Sequence, residues 1–237
     1  MTTSDPWTQA VRHQLGPGRF LPLGGPRDGA WISERAAEAV LRRATEHLRG
    51  VQLIALRIAL ADPEDTHDPA VPPPPSALPP GPLRVTAEFA ATAAAPLPQT
   101  AALVRAVLAA AAKERLGLQV ADVDLRVAAL LDEEPDPVPV RQPDVPHAAE
   151  PGPGEEGRVA AAALSVPGVT HLTTGLGRAV HLEERHEENT LPHRHARVEF
   201  AVDSDHRTSD VAQQVRTAVR DALPDRPTVA VLVTAVG

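Results

Sequence analysis

The chain has 237 residues, a formal charge of −8 and a pI near 5.7, which argues against bulk electrostatic attraction to nucleic acid or anionic lipid. Because it contains no cysteine, disulfides, thiolate metal sites and cysteine nucleophiles are excluded. Aromatic residues make up only 2% of the chain, so any core must consist mainly of Val, Leu, Ile and Ala.

Residues 1–26 are predicted to form a short helix followed by an irregular stretch rich in glycine and proline. Asp5 suits the N-cap and Pro6 the first helical position, and apolar side chains follow at helical spacing. We expect this helix to dock on the rest of the protein, with contact to a membrane or a partner helix as the alternative. The segment has no basic start followed by an apolar run, so a secretory signal is not expected.

Residues 27–131 are predicted to form a first α+β unit. Ser33 begins a helix whose apolar residues recur every three or four positions, and Gly50 provides a left-handed C-cap. A strand from Val51 to Leu60 follows. Its predicted buried face is formed by Ile54, Leu56, Ile58 and Leu60.

The same unit continues through a proline-rich loop at residues 61–82, which is predicted to be polyproline-like and unable to bury itself. An alternating strand follows from Leu83 to Phe89. A helix through Val104 then ends at Gly117, and a final alternating strand spans Val123–Val127. The unit therefore reads helix, strand, loop, strand, helix, strand.

Residues 132–157, here named the acidic linker, are acidic and rich in proline, which favours an extended, solvated chain over a packed one. Residues 158–237 are predicted to form a second α+β unit. It begins with a shorter helix and two strands turned as a hairpin at residues 175–177. A strand through Phe200, a helix capped by Thr208 or Ser209, and a valine-rich strand complete it.

The two units repeat one sequence pattern. Glu88-Phe89-Ala90 returns as Glu199-Phe200-Ala201, 111 residues later (199 − 88 = 111), and Val104-Arg105 returns as Val215-Arg216 at the same offset. Internal repeats of this kind indicate duplicated supersecondary units. The duplicated framework is apolar and carries no duplicated polar constellation, which indicates a repeated core. The predicted fold is therefore α+β, with two tandem small two-layer units joined by the acidic linker.

Several features of the first unit resemble the alkaline-shock-protein family of envelope stress-response proteins. They are the Gly50-Val51 step after an Ala-rich helix, the Leu83–Phe89 strand, the helix through Val104 and the Val123–Val127 strand. The resemblance covers about residues 30–131 and, more weakly, residues 155–237. It implies a small α+β domain in a non-enzymatic cytoplasmic protein, often associated with the membrane through a partner. Family members usually carry one such domain, whereas this pattern occurs twice.

A histidine-rich segment is the sharpest candidate for chemistry. Imidazole and carboxylate groups that could bind zinc or nickel are interleaved in it: His181, Glu183, Glu184, His186, Glu187, Glu188, His193 and His195. The His-Glu-x-x-His pairing of helical zinc sites is absent, and a polar loop offers little support to metal ligands. We therefore expect no metal or other cofactor, and metal or small-molecule binding by the His181–His195 loop is the alternative function.

Other functional motifs are weaker. Asp122 and Asp124 are the nearest carboxylate pair, but strand alternation places both on an outward face, so no catalytic residue is expected. Glycine motifs for nucleotides and the Gly-x-x-Gly loop of KH-type RNA binders are absent. A small positive patch on the first helix is expected to be solvated: Arg35, Arg42, Arg43 and Arg49.

These observations favour a non-enzymatic structural or protein-interaction module that binds through sheet edges or helix faces. Expected partners are proteins, including a membrane-anchored protein or a second copy of the chain, and nucleic acid is not expected. No window is apolar enough for a membrane span. We therefore expect a cytoplasmic protein that reaches the membrane only through a partner.

Overall fold

The computed structural model of the chain describes residues 18–136, 139–185 and 193–237. Helices pack against two mixed sheets, so the predicted α+β class is confirmed. In chain order the elements are β1 (Phe20–Pro22), β2 (Ala30–Ser33), α1 (Glu34–Thr45), β3 (Val51–Leu60), β4 (Leu83–Thr92), α2 (Leu97–Ala110), β5 (Val120–Leu131), α3 (Glu155–Leu164), β6 (Val169–Leu172), β7 (Val180–Arg185), β8 (His193–Val202), α4 (Thr208–Ala222) and β9 (Thr228–Val236). The helix predicted for the first residues lies outside the described residues.

The smaller sheet has the order β3-β4-β5, with β3 antiparallel and β5 parallel to β4. Strand β3 has the predicted bounds. A register shift between Leu53 and Ala55 breaks its alternation, so Ile54, predicted on the buried face, is instead 47% exposed. A π-helical turn at Ala111–Leu116 extends α2 and ends, as predicted, at Gly117 with φ of +82°.

The larger sheet has the order β1-β2-β9-β8-β6, and β7 also pairs with β8. The predicted hairpin at residues 175–177 is wrong, because β6 and β7 both run antiparallel to β8 and do not pair with each other. Strand β6 lies beside Phe200–Val202, and β7 lies beside His193–Val198. The turn at residues 175–177 connects β6 to β7. Both strands pair with β8, which is long enough to accept the two in succession.

Strand β2 joins the sheet built by the second half of the chain. It pairs in parallel with β9, with Ile32 opposite Val233, and β1 then pairs antiparallel with β2. Ser33 secures this junction: its hydroxyl accepts from the Ala36 amide as N-cap of α1 and donates to the Thr234 carbonyl. Residues assigned by sequence to the first unit thus complete the larger sheet.

The repeated tripeptides occupy equivalent places in the two sheets. Phe89 lies opposite Val127, and Phe200 lies opposite Val233, each on a strand that runs parallel to its partner. A register shift follows each phenylalanine, between Phe89 and Ala90 and at the same step after Phe200. A repeated β-bulge is a specific geometric feature, because it requires an unpaired residue at the same place in each partner strand.

One apolar cluster lies between the helices and the inner faces of both sheets. Phe89 and Phe200 are both completely buried in it, together with Val104 of α2 and Val215 of α4. Helix α1 contacts β9 as well as β3, so its side chains bury surface against both sheets. The two halves of the chain therefore share a core.

The proline-rich loop does contribute to burial, contrary to the prediction. Val71 is 5% exposed and packs with Phe20 and Trp31 in a second cluster on the outer face of the larger sheet. The Leu78 amide also donates to the Phe20 carbonyl, at the edge of β1. Prolines exclude regular pairing, but they leave the apolar side chains between them free to cover a neighbouring sheet.

The acidic linker is not wholly extended and solvated. Helix α3 already begins at Glu155, and the residues before it run along β6. His147 forms an antiparallel bridge with Thr173, and the Ala148 amide donates to the Leu172 carbonyl at 2.9 Å. The edge of β6 offers backbone groups that bind an extended chain whatever its side chains are.

Candidate functional site

The histidine-rich segment does not gather its side chains into one site. Three residues lie outside the described part of the chain: His186, Glu187 and Glu188. The others lie on the paired strands β7 and β8: His181, Glu183, Glu184, His193 and His195. In the described residues, no group of three or more His, Cys, Asp or Glu side chains is arranged to hold a metal ion.

His195 has a structural environment. Its side chain is 4% exposed, and Nδ1 lies 2.9 Å from the Thr228 hydroxyl of β9. Burial lowers the pKa of His195 to about 4, although the charge of Glu183 acts in the opposite direction. The imidazole is therefore neutral near pH 7 and hydrogen-bonded within the sheet.

Asp122 and Asp124 lie on the outward face of β5, as alternation predicts. Both carboxylates contact Arg84 of β4, at 3.3 and 3.4 Å, and both side chains are more than half exposed. On the same face Arg126 pairs with Glu88 at 3.0 Å. The result is a solvated row of alternating charges across β4 and β5.

One arginine of α1, Arg42, is also engaged within the protein. Arg42 pairs with Glu38 at 2.8 Å and donates to the Leu53 carbonyl of β3 at 3.2 Å. A cleft of about 950 Å³ opens between the end of α1, the start of β3 and the acidic linker. Its lining carries charges of both signs: Arg35, Glu38, Arg42, Glu46, Arg49, Glu134, Asp136 and Arg141. Mixed charge of this kind does not favour one class of ligand.

The larger sheet carries a buried carboxyl group that the sequence pattern does not predict. Alternation places Glu199 on an outward face, yet its side chain is completely buried. Oε2 accepts from the Leu176 amide at 2.9 Å, and Oε1 lies 3.6 Å from Nη2 of Arg197. Burial raises the pKa of Glu199 to about 7, against the opposing effects of the Leu176 amide and Arg197. The turn at residues 175–177 folds over Glu199. The glycines that predict this turn are the only feature of the sequence that relates to the covering of Glu199.

The edges of the larger sheet at β1 and β6 are covered by proline-rich chain. The loop at residues 61–82 binds both backbone groups of Phe20 at the free edge of β1: the Ser76 carbonyl accepts from the Phe20 amide, and the Leu78 amide donates to the Phe20 carbonyl. The acidic linker covers β6 through His147 and Ala148. Covering an edge in this way removes the unpaired backbone groups that would otherwise bind another strand.

Strand β5, by contrast, has an open edge. It is twelve residues long and pairs only with β4 among the described residues. Arg105 of α2 donates to the Val123 carbonyl at 3.1 Å, so that carbonyl points away from β4. Because backbone orientation alternates along a strand, the N–H and C=O groups of Leu125 and Val127 point the same way.

Apolar side chains are exposed beside this open edge. Val127 is 37% exposed and Leu130 is 62% exposed, both on β5, and Leu103 of the adjacent α2 is 51% exposed. Large apolar side chains exposed along a long edge strand mark a surface suited to another strand. We name residues 123–130 of β5 the open edge.

The chain matches no protein-family model, and no curated protein matches it. Among the described residues, no helix has both the length and the apolar character that crossing a membrane requires.

The open edge supplies the elements of strand addition. Backbone groups of alternate residues face outward, and apolar side chains flank them. The two buried titratable groups with strongly shifted pKa values, Glu199 and His195, are enclosed by the fold. The open edge has the features that pairing with an extended chain requires.

Proposed function

We propose that this protein is a non-enzymatic interaction module that binds a protein partner by strand addition at the open edge. The observation that carries the proposal is the contrast between β5 and the edges of the larger sheet at β1 and β6. Proline-rich chain covers β1 and β6, while β5 leaves a long edge unpaired among the described residues. Natural sheets normally protect such edges, so a long unprotected one with exposed Val127 and Leu130 supports a binding role.

The buried titratable groups support binding rather than catalysis. Glu199 and His195 have strongly shifted pKa values, which is a property shared by many catalytic groups. Here, however, each is 4% exposed or less and faces a hydrogen-bonding partner inside the fold: Leu176 of the covering turn for Glu199, and Thr228 of β9 for His195. Groups enclosed in this way lack the access to substrate that acid–base catalysis requires.

The tandem arrangement is part of the same proposal. The repeated bulges after Phe89 and Phe200 support a duplicated helix–strand–strand–helix–strand unit. In this interpretation the second copy, extended by β1 and β2, forms the protected sheet. The first copy keeps its β5 edge for a partner.

The resemblance to the alkaline-shock-protein family adds an expectation about location. It implies a cytoplasmic protein that acts at the envelope through a membrane-anchored partner. This expectation depends on the pattern of residues 30–131 and, more weakly, on that of residues 155–237.

Site-specific photo-crosslinking tests the proposed surface. A photoreactive amino acid at Leu130 is expected to form a protein adduct in living cells, because Leu130 lies in the open edge. The matched control is the same substitution at Arg57, an exposed position of β3 in the same sheet. Equal adduct yields at the two positions, or no adduct at Leu130, would contradict binding at the open edge.

A further inference from the structure

We infer that the partner at the open edge is a second copy of this chain, paired antiparallel through β5 about a two-fold axis at Leu125. This inference deepens the proposed function and depends on it. Such pairing would join two three-stranded sheets into one continuous sheet of six strands. Backbone orientation and the order of charges along β5 both support this pairing.

The backbone of β5 is suited to a symmetric pair at this position. The Val123 carbonyl faces outward, as its contact with Arg105 shows, and alternation gives Leu125 and Val127 the same orientation. In an antiparallel pair centred on Leu125, each Leu125 faces its own copy, and Val123 faces the partner's Val127. All three positions are then hydrogen-bonded pairs. Arg105 must release the Val123 carbonyl, which a long exposed side chain does at little cost.

The charges select the same register. With the axis at Leu125, Asp124 of each copy lies opposite Arg126 of the other, in the closely spaced non-hydrogen-bonded pairs. An axis at Asp124 places that carboxylate against itself, and an axis at Val123 places Asp122 against Asp124. An axis at Arg126 brings two guanidinium groups together. Among these neighbouring registers, only the one centred on Leu125 pairs opposite charges without a like-charge contact.

The pairing also extends the charge row already present in each copy. Arg126 contacts Glu88 at 3.0 Å, and Asp124 contacts Arg84 at 3.4 Å. Across the two-fold axis the order becomes Glu88, Arg126, Asp124, Arg84, the last two from the second copy. Networks of alternating sign stabilise more than isolated surface pairs do.

Apolar surface is covered in the same register. Val127, which is 37% exposed, meets the partner's Val123. Leu130, the most exposed large apolar side chain of β5, comes opposite the partner's Val120. Both exposed apolar residues of the open edge thus gain a neighbour from the second copy.

Sedimentation velocity on the full chain, from about 1 to about 100 µM at roughly 0.15 M salt, tests the inference. The wild type is expected to show a concentration-dependent monomer–dimer equilibrium. Asp124→Arg and Arg126→Asp each turn two attractive contacts into two repulsive ones, so each is expected to weaken the dimer by about thirtyfold or more. The double variant restores both attractions and is expected to dimerise within a few-fold of the wild type.

Mixing the two single variants provides the decisive control. One then carries two arginines and the other two aspartates at positions 124 and 126, so an equimolar mixture is expected to form heterodimers while each variant alone stays monomeric. Because this outcome requires both variants to be folded, it also controls for misfolding. Far-UV circular dichroism of each variant alone provides a second check.

The outcomes separate the inference from the proposed function. A wild type that remains monomeric throughout, or single variants that dimerise as well as the wild type, would overturn self-pairing about Leu125. If Leu130 nevertheless crosslinks to a different protein in cells, the interaction module stands with another partner. If Leu130 forms no adduct at all and the wild type is monomeric, both fail.

Discussion

Glu88 and Glu199 occupy the same position in the repeated sequence, yet the Glu88 side chain is 36% exposed and that of Glu199 is completely buried. Glu88 pairs with Arg126 on an open sheet face. Glu199 lies beneath the turn at residues 175–177 and accepts from the Leu176 amide. The residue type is unchanged, so the difference arises from what covers each sheet.

The carboxyl group of Glu199 is expected to lower the free energy of unfolding as the pH rises. Replacing Glu199 by glutamine is expected to remove this effect. The pKa of Glu199 is about 7 in the folded chain against an ordinary 4.5, so the folded chain binds more protons than the unfolded chain between these values. The contribution of Glu199 to the free energy of unfolding therefore falls as the pH rises through this window, by about 3 kcal/mol. Urea denaturation of the wild type and the variant at about pH 4.5 and about pH 8 measures this contribution as the difference between their pH dependences.

The matched control for this prediction is Glu88→Gln, at the equivalent but exposed position. Its free energy of unfolding is expected to follow the pH dependence of the wild type. A Glu199→Gln variant with the same pH dependence as the wild type would show that the buried carboxyl group does not titrate in this range.

His195 is expected to affect stability in the opposite direction. Burial lowers its pKa from 6.5 to about 4, so the folded chain binds fewer protons than the unfolded chain between these values. The stabilisation is fully present above pH 6.5 and is lost as the pH falls towards 4, by up to about 3 kcal/mol. His195→Asn should reduce this acid sensitivity in urea denaturation, whereas His67→Asn, on the exposed loop, should leave it unchanged. An unaltered acid profile in His195→Asn would contradict the prediction.

Ser33→Ala is expected to destabilise the fold by about 1–2 kcal/mol. The hydroxyl accepts from the Ala36 amide at 3.2 Å and donates to the Thr234 carbonyl at 3.1 Å, so its removal weakens both the start of α1 and the junction with β9. Thermal denaturation measures the loss as a lower Tm. Ser165→Ala removes an exposed hydroxyl at the end of α3 and serves as the control, with an expected change below about 0.5 kcal/mol.

Phe89→Ala and Phe200→Ala are each expected to destabilise the protein by about 3–5 kcal/mol, because both rings are completely buried in the shared core. Since that core joins the two halves, each variant should shift one cooperative transition. Urea denaturation followed by circular dichroism and by tryptophan fluorescence tests this point. Leu103→Ala, at an exposed position, should have little effect. Two separated transitions would mean that the halves unfold independently.

Local features of the fold follow closely from the sequence. The alternation of Val51–Leu60 predicts β3 with its observed bounds, and Gly117 ends the second helix where a left-handed residue is required. These features depend on neighbouring residues, whose side-chain periodicity and backbone preferences are contained in the sequence itself. The tripeptides that repeat at an offset of 111 residues likewise lie on two strands, β4 and β8. Each of these strands has a register shift directly after its phenylalanine.

Features that depend on distant residues were not predictable. Ile54 is exposed because of a register shift in β3, and Glu199 is buried because another segment folds over it. The open edge of β5 likewise depends on residues that are distant in the chain. The residues of β5 indicate a strand, but only the tertiary structure shows that chain covers the edges at β1 and β6 and leaves β5 unpaired on one side.

The sequence predicts most of the helices and strands after Ser33, the α+β class and a repeated apolar pattern, because these depend on residues that are close together in the chain. It does not predict β1 or β2, whose pairing involves residues that are far apart in the chain. Contacts between distant segments also place proline-rich chain over the larger sheet and leave β5 with an open edge in the described chain. Pairing between segments far apart in the chain depends on competition among many possible partners. That competition is settled only when the shared core forms.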